Sequence, residues 1–358
     1  MTQRADLVIG GVDTHADSHT AAAIDGVGQL LGVAQFPATN AGYRSLLAWL
    51  RQHGTVARAG AGGTGSYGAG LARYLAGAGA GVIEVDRPDR RARRRRGKSD
   101  PVDAEAAARA VLAGTAAGTP KTRSGPAEAI RVLRATRRGA IKARTAAMNT
   151  LRQLVITAPE PLRARLGGLP GAALISAAAA LRVTGELADP DAATRLALRR
   201  LARRCQQLSA EIADADAELR DLTTRTAPRL LAKYGAGPQT AGQLLVTAGD
   251  NPGRLHSDAS FAALCGASPV PASSGRTDRH RLNRGGDRAA NSALYTIVMI
   301  RMQRHEPTRR YAGRRRAQGL TTREIIRCLK RYVARELLPC ILEALEPAST
   351  APSRDLTK

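Results

Sequence analysis

Aromatic residues are scarce in this chain: two Phe, one Trp and seven Tyr make up 3% of its 358 residues. That excludes stacking of bases on exposed rings as the main grip on a partner, and leaves shape and backbone contacts. Cysteine is scarce as well. Cys205, Cys265, Cys328 and Cys340 form no CxxC pair and lie within apolar periodic segments. They read as reduced core residues of a reducing compartment. No apolar run approaches about 18 residues and the N-terminus has no signal-peptide pattern, which predicts a soluble, cytoplasmic protein without a membrane partner. Acidic residues are in deficit too, 30 Asp and Glu against 55 Lys and Arg, for a net charge of +25. A small-metabolite enzyme has no use for that excess. Nucleic acid does, because each cation placed on a phosphate releases a counterion. Ribosomal and architectural proteins share such a charge, so it points to the partner and not to an activity.

The charge is concentrated in Arg87–Asp103, RPDRRARRRRGKSDPVD. Arg87, Arg90, Arg91, Arg93, Arg94, Arg95, Arg96 and Lys98 form a polyanion-binding run, and Asp100 and Asp103 follow it. A solvated loop ending in a helix cap has the same composition. The surrounding order of elements bears on the choice.

Residues 1–120 read as one α/β domain. Leu7–Asp13 is an apolar strand, His19–Ile24 a second, and Leu30–Phe36 a third after an Asp-Gly type turn at Asp25–Gly28. Tyr43, Leu46, Leu47 and Leu50 share one helix face. Val56–Ala61 is a strand, Tyr67–Leu75 a helix, Gly81–Val85 a strand, and Pro101 opens a helix through Leu112. Three meandering strands followed by βα units is the order of the ribonuclease-H-like fold. There, acids from strand 1, the end of strand 4 and the last helix meet at divalent metal. Asp13 ends strand 1 here, and Asp100 and Asp103 lie one turn apart on one helix face. Mg²⁺ prefers such oxygen ligands, and two ions can stabilise the attacking and leaving oxygens of a phosphodiester. On helix rules alone capping is the better account of the last two: Asp100 as N-cap, Pro101 at N1, and an acid at N3 suiting the dipole. The three acids together, in this strand order, favour the metal reading. His15 and His19 follow a strand, outside any HExxH helix, and are read as ordinary structural residues.

Residues 121–230 read as a helical connector and oligomerisation arm. Ile141, Met148 and Val155 recur every seven residues with Leu151 between. Leu198, Leu201, Cys205, Leu208, Ile212, Ala215, Leu219 and Leu222 alternate threes and fours. That is a coiled-coil seam, compatible with an antiparallel pair, a dimerisation arm or one long bundle helix. Residues 231–346 read as a mainly helical C-terminal domain, and 347–358 as a disordered tail. Ser273 and Ser274 precede Gly275, with Arg276, Arg279, Arg281, Arg284 and Arg288 after them. A serine on a glycine-flanked loop can present its hydroxyl while guanidiniums stabilise a phosphorane. A flexible loop whose arginines only hold phosphates has the same sequence. Thr321–Glu324 is a capping box opening a helix over Arg323–Leu338.

The segments GVDTHADSHTAA, GTGSYG (Gly63–Gly68), RPDRRARRRRGKSDPVDAEAAARA, and FAALCGASPVPASSG with HRLNRGGDRAANSALY occur in this order between Val8 and Leu342. Together they resemble the transposases of the insertion-sequence "one-ten" family, which join a DEDD RuvC-like N-terminal domain to a C-terminal serine transposase domain. The resemblance implies a recombinase that cuts and rejoins donor and target DNA through a phosphoserine. It implies an acidic tetrad holding Mg²⁺, a structured bridge RNA that pairs with both DNAs, and homodimers or homotetramers built through the arm. In such assemblies one subunit's RuvC-like domain faces another's serine domain. Carried over, the acids are Asp13, Asp100 and Asp103, and the nucleophile is Ser274, with Ser273 as the alternate. The family's glutamate before Gly-Thr-Gly-Ser-Tyr is replaced here by Gly62, which predicts weakened metal binding. Glu84 is not at an equivalent place. A metal-only nuclease of resolvase type and a non-enzymatic nucleic-acid binder are the competing classes.

Overall fold

In the first 85 residues of the computed structural model, the apolar alternation becomes a sheet. Residues 7–85, 99–275 and 280–346 are described. The basic run Arg87–Lys98, Arg276 and Arg279, and the tail from Pro347, lie outside the described residues. The chain divides at Ser124/Gly125 into two compact units.

In the first unit, β1 (Leu7–Thr14), β2 (Ser18–Asp25) and β3 (Leu30–Pro37) form an antiparallel meander, and β4 (Thr55–Ala61) and β5 (Gly81–Glu84) add in parallel beyond β1, giving the order β3-β2-β1-β4-β5. The β2–β3 turn closes because Asp25 Oδ1 accepts from the amides of Val27 at 3.0 Å and Gln29 at 2.8 Å. Helices α1 (Asn40–Gln52) and α2 (Ala69–Gly77) cover one sheet face, where Leu46, Leu47, Leu50, Leu71 and Leu75 meet Val8, Val12, Ala21 and Ala23. Helix α3 (Asp100–Leu112) covers the other, its Ala108 and Val111 packing with Ile9 and Ile24. This is the ribonuclease-H-like arrangement that the strand order predicts.

α3 lies unusually close to the sheet because glycines make room for it. A Cβ on Gly11 would fall 2.1 Å from the Ala104 carbonyl oxygen and 2.3 Å from the Ala108 amide nitrogen. One on Gly60 would fall 2.7 Å from Val111 Cγ2 and 2.9 Å from the Ala107 carbonyl oxygen. Alanines on the helix complete this contact: Ala104, Ala107 and Ala108 are all buried.

The second unit is helical apart from one small hairpin. Helix α4 (Pro126–Thr157) and helix α7 (Pro190–Thr226) run antiparallel, with α5 (Glu160–Leu166) and α6 (Gly171–Ala179) packed around their far ends. Arg137 Nε donates to Asp216 Oδ1 at 2.7 Å, and Arg144 reaches Ser209 Oγ at 3.3 Å, which sets the antiparallel register. The other ends enter a larger core with α8 (Pro228–Leu231), α9 (Pro238–Ala248), α10 (Asp258–Leu264), α11 (Arg288–Arg304), α12 (Glu306–Ala317) and α13 (Thr322–Leu345). Polar groups key this junction. Gln239 Nε2 donates to Asp216 at 2.7 Å, Arg134 donates to the Gln239 carbonyl at 2.8 Å, and the Asp250 carboxylate caps α4 at Ala127 N (2.8 Å) and Glu128 N (3.1 Å).

The seam on α7 differs from its predicted line by one column. Leu198, Cys205, Ile212, Ala215 and Leu219 are buried as expected, but Leu201, Leu208 and Leu222 are only half-buried. The companion column toward α4 is Ala202, Ser209, Asp216 and Thr223. Polar pairing with Arg137 and Arg144 replaces leucine packing there. Beyond Ala127 and Ile130, the buried positions on α4 are Ala140, Ala147, Leu151 and Val155, one residue before Ile141 and Met148 at the first two of these four. Small residues let the helices approach closely and displace the larger ones to the flanks.

Candidate metal site and serine loop

Strand period decides which acids can meet. Ile9, Gly11 and Asp13 alternate onto the α3 face of the sheet, so the close approach at Gly11 carries the first turn of α3 to the C-terminal end of β1. Asp100 and Asp103 occupy that turn. Ser99 is the N-cap and its side chain makes no capping hydrogen bond, so Asp100 is not the cap and both acids stand inside the helix. Their negative charge still suits the positive end of the helix dipole.

His15 lies between the two segments. Its Nε2 is 3.2 Å from Asp13 Oδ2 and 3.3 Å from Asp100 Oδ1. Ligand atoms of Asp13, His15 and Asp100 all fall within 4.8 Å of one another. The structural reading of His15 is thus corrected: it belongs to the acidic cluster. The available signal was the D-x-H spacing, which puts residues 13 and 15 on one strand face. His19 does fit its structural reading. It is buried, stacks on Tyr43 with ring centroids 5.5 Å apart, and burial holds its imidazole below the ordinary range.

Burial pushes the Asp13 carboxyl above its ordinary range; His15 opposes the rise, while Asp103 and Asp100 add to it. Asp103 is 8% exposed and is not one of the converging trio, but its charge reaches Asp13. Crowded carboxylates of this kind are relieved by a divalent cation, and their oxygen donors suit a hard ion of the Mg²⁺ or Mn²⁺ type. Asp13 and Asp100 fit the role of ligands, the charge of Asp103 adds to theirs, and His15 stands against both carboxylates.

Position 62 adjoins this cluster. Val12 pairs with Ala61 in parallel register, and the Gly62 amide donates to the Val12 carbonyl at 3.2 Å, so Gly62 stands next to Asp13 on the same face. Among the described residues a Cβ there would meet only the Val12 and Val85 carbonyl oxygens, at 3.9 and 4.0 Å, so the backbone admits a side chain at this position. Glu84 does not substitute, since its carboxylate accepts the Thr64 hydroxyl.

In the second unit, β6 (Val270–Pro271) and β7 (His280–Arg281) form a two-stranded hairpin, and Ser273 and Ser274 are exposed on its connection. Gly275 has φ +54° and nothing within 4 Å of its Cβ position. Arg281, Arg284 and Arg288 are exposed around the hairpin's return. Asp287 caps α11 through Ala289 N at 2.8 Å and Ala290 N at 3.2 Å, and accepts the Thr247 hydroxyl at 2.7 Å.

Comparison with known families matches both parts. Residues 10–158 match the DEDD transposase model of IS110, described as "Transposase". Residues 227–312 match the model described as "Transposase IS116/IS110/IS902 family". The first match contains Asp13, Asp100 and Asp103, and the second contains Ser273 and Ser274. No curated protein sequence matches the chain. Among the described residues no helix is long and apolar enough to cross a membrane.

Proposed function

The chain belongs to the IS110 family of transposases, and on that premise we propose that it cuts and rejoins DNA with Ser274 as nucleophile and Mg²⁺ at Asp13, Asp100 and Asp103. The observation that carries the reading is the meeting of Asp13 with Asp100 around His15, acids 87 positions apart in sequence brought within ligand distance of one another. The exposed serines on a hairpin bordered by arginines support the second half.

Bound Mg²⁺ supplies positive charge to the phosphate oxygens undergoing substitution. Asp13, Asp100 and Asp103 would hold it, and His15, against the Asp13 and Asp100 carboxylates, would fix their orientation. Ser274 Oγ forms its bond to phosphorus as the bond from phosphorus to a deoxyribose oxygen breaks. The serine proton departs to solvent, and the leaving oxygen gains one. Rejoining reverses the step: a strand hydroxyl attacks the phosphoserine and Ser274 is regenerated. Arg281, Arg284 and Arg288 neutralise charge on the phosphates, as Arg276 and Arg279 do in the same segment. Donor and target DNA are the substrates, and a structured guide RNA supplies sequence choice by pairing, with the basic run gripping backbone. The α4–α7 arm serves homodimer and homotetramer formation. Residues 1–120, 121–230 and 231–346 act as catalytic, assembly and serine domains.

Labelled DNA incubated with the protein and Mg²⁺, then run on a denaturing gel, tests this. The expected result is a covalent protein–DNA adduct that persists in Ser273→Ala and vanishes in Ser274→Ala. Cleavage without adduct, indifferent to Ser274, refutes it in favour of a metal-only nuclease. Salt-sensitive binding with no strand breakage in either Mg²⁺ or Mn²⁺ refutes it in favour of a non-enzymatic binder.

A further inference from the structure

Beneath the hairpin that carries the serines, the second unit has a cavity of about 590 Å³, within the range of nucleotide-sized ligand sites. Its wall is cationic. Arg281 from β7, Arg315 from the end of α12, and Arg327, Lys330 and Arg331 from α13 all line it, against one carboxylate, Glu324. Glu324 is mostly taken up by the cap of α13, where its Oε2 accepts the Thr321 amide at 2.9 Å and the Thr321 hydroxyl at 2.7 Å; its Oε1 lies at the outer limit of an ion pair with Arg327, 3.8 Å away.

The cations are short of partners in a way that surface cations are not. Lys330 is 6% exposed, and its Nζ donates to the neutral Asn291 Oδ1 at 2.9 Å. Among the described residues no carboxylate lies within ion-pair distance of it. Arg331 Nη2 donates to Asp258 at 3.0 Å, but Nη1 is buried without an acceptor. Arg315 Nη1 donates to Gln318 at 2.7 Å, and its Nε is likewise buried and unpaired. Each buried donor left unmade costs about 1–3 kcal/mol, and like charges so close repel. Burial, and then Arg327, hold the Lys330 amine below its ordinary range. A fold keeps such a cost where an anion is to be received, and a phosphate oxygen accepts from these donors while offsetting the repulsion among them.

The position says which anion. Arg281 lines the cavity and belongs to the same hairpin as Ser274, so a strand whose phosphate sits here lies against the hairpin that carries that hydroxyl.

We propose that this cavity is a phosphodiester subsite, holding a backbone phosphate of the nucleic-acid strand adjacent to the linkage offered to Ser274. Its role in the reaction rests on the reading of Ser274 as nucleophile; its capacity to bind does not. The seat is formed by Lys330, Arg327 and Arg281, with the buried edges of Arg315 and Arg331 behind them.

The test uses the full chain without Mg²⁺ and a short fluorescein-labelled single strand, as DNA and as RNA of equal sequence, with affinity measured by anisotropy across a salt series. Lys330→Met and Arg327→Gln are each expected to bind about fivefold more weakly at about 0.1 M salt, with a log–log salt slope shallower by about 0.7, one phosphate's worth on a single strand. Arg225→Gln, which removes an exposed cation paired with Asp221 on α7, is expected to keep the parental slope. Arg327 is half-exposed, so its replacement keeps the fold even if the buried lysine cannot be changed. A loss confined to DNA assigns the seat to the substrate strand, a loss confined to RNA to the guide, and an equal loss to their shared backbone. Parental slopes in both cavity variants, or an equal loss in Arg225→Gln, overturn the proposal. The covalent adduct is scored separately: no adduct in the parent with the slope still lost in Lys330→Met removes the serine reading and leaves the subsite, and the converse removes the subsite alone.

Discussion

Gly10 and Gly11 are adjacent on β1 and face opposite sides of the sheet, so one methyl group at each probes the two packings separately. Alanine at Gly10 meets Leu50 Cδ1 at 2.9 Å, the end of a side chain that can turn aside. Alanine at Gly11 meets α3 backbone at 2.1 and 2.3 Å, where ordinary contact begins at 3.4 Å. No rotamer relieves that overlap. The helix must retreat by more than about 1 Å, losing contacts among Ile9, Ile24, Ala108 and Val111, at a cost of about 3 kcal/mol or more. For Gly10→Ala a strain of about 1 kcal/mol is offset by the lower entropy of the unfolded alanine chain, about 0.5–1 kcal/mol, leaving it near neutral. The only tryptophan, Trp49, packs against the core of the first unit, so urea unfolding followed by its fluorescence reads that unit alone. Calorimetry with Mn²⁺ reads the acids. In Gly11→Ala the retreat separates Asp100 from Asp13, so cation affinity falls, and cation-dependent cleavage drops about a hundredfold. Equal stability of the two variants, with parental Mn²⁺ binding in both, would refute the argument that backbone contact at Gly11 places the acids.

Gly62→Glu restores a carboxylate beside Asp13 in a space that admits it. Mn²⁺ affinity is expected to rise tenfold or more, about 1.4 kcal/mol, and no gain by calorimetry would show that position 62 does not face the cluster. Glu336 accepts from Arg301 at 2.6 and 3.1 Å, and that hydrogen-bonded guanidinium holds its carboxyl below the ordinary 4.5. A depressed carboxyl contributes stability that is present above pH 4.5 and lost as pH falls below it toward the folded value. Glu336→Gln should therefore cost about 1.5 kcal/mol at neutral pH, the low end for charged hydrogen bonds because 41% of the side chain is exposed, and flatten the acid limb of a melting-temperature profile. An unchanged acid limb would remove this pair from the pH dependence.

The first unit was legible because strand and helix periods are local. Each strand alternates around its own buried face, and the order of periods alone specifies the sheet. His15 was missed because a histidine after a strand looks like any turn residue until Asp100 arrives from 85 positions later. The seam on α7 was misplaced by one column because leucine content was taken for burial, whereas Ala140 and Ala147 on α4 favour close approach through small residues. Helix α12 was not foreseen: EPTRRYAGRRRA has almost no apolar stripe, burying only Thr308 and Ala312. The cationic cavity had no signature at all, since Arg281, Arg315 and Lys330 come from three segments with no shared motif.

The polar key at the root of the long helix pair has a mechanical consequence. Asp216 ties Arg137 of one helix to Gln239 of the core, and Asp250 clamps the start of α4, so the pair is fixed at its base. Beyond Arg137, α4 runs on to Thr157, about 30 Å from that anchorage. A tilt of about 5° at the base therefore swings the far end by about 3 Å, and a load applied at the far end acts on the base with the same leverage. Whatever grips the tip holds a long handle on the body that bears Ser274.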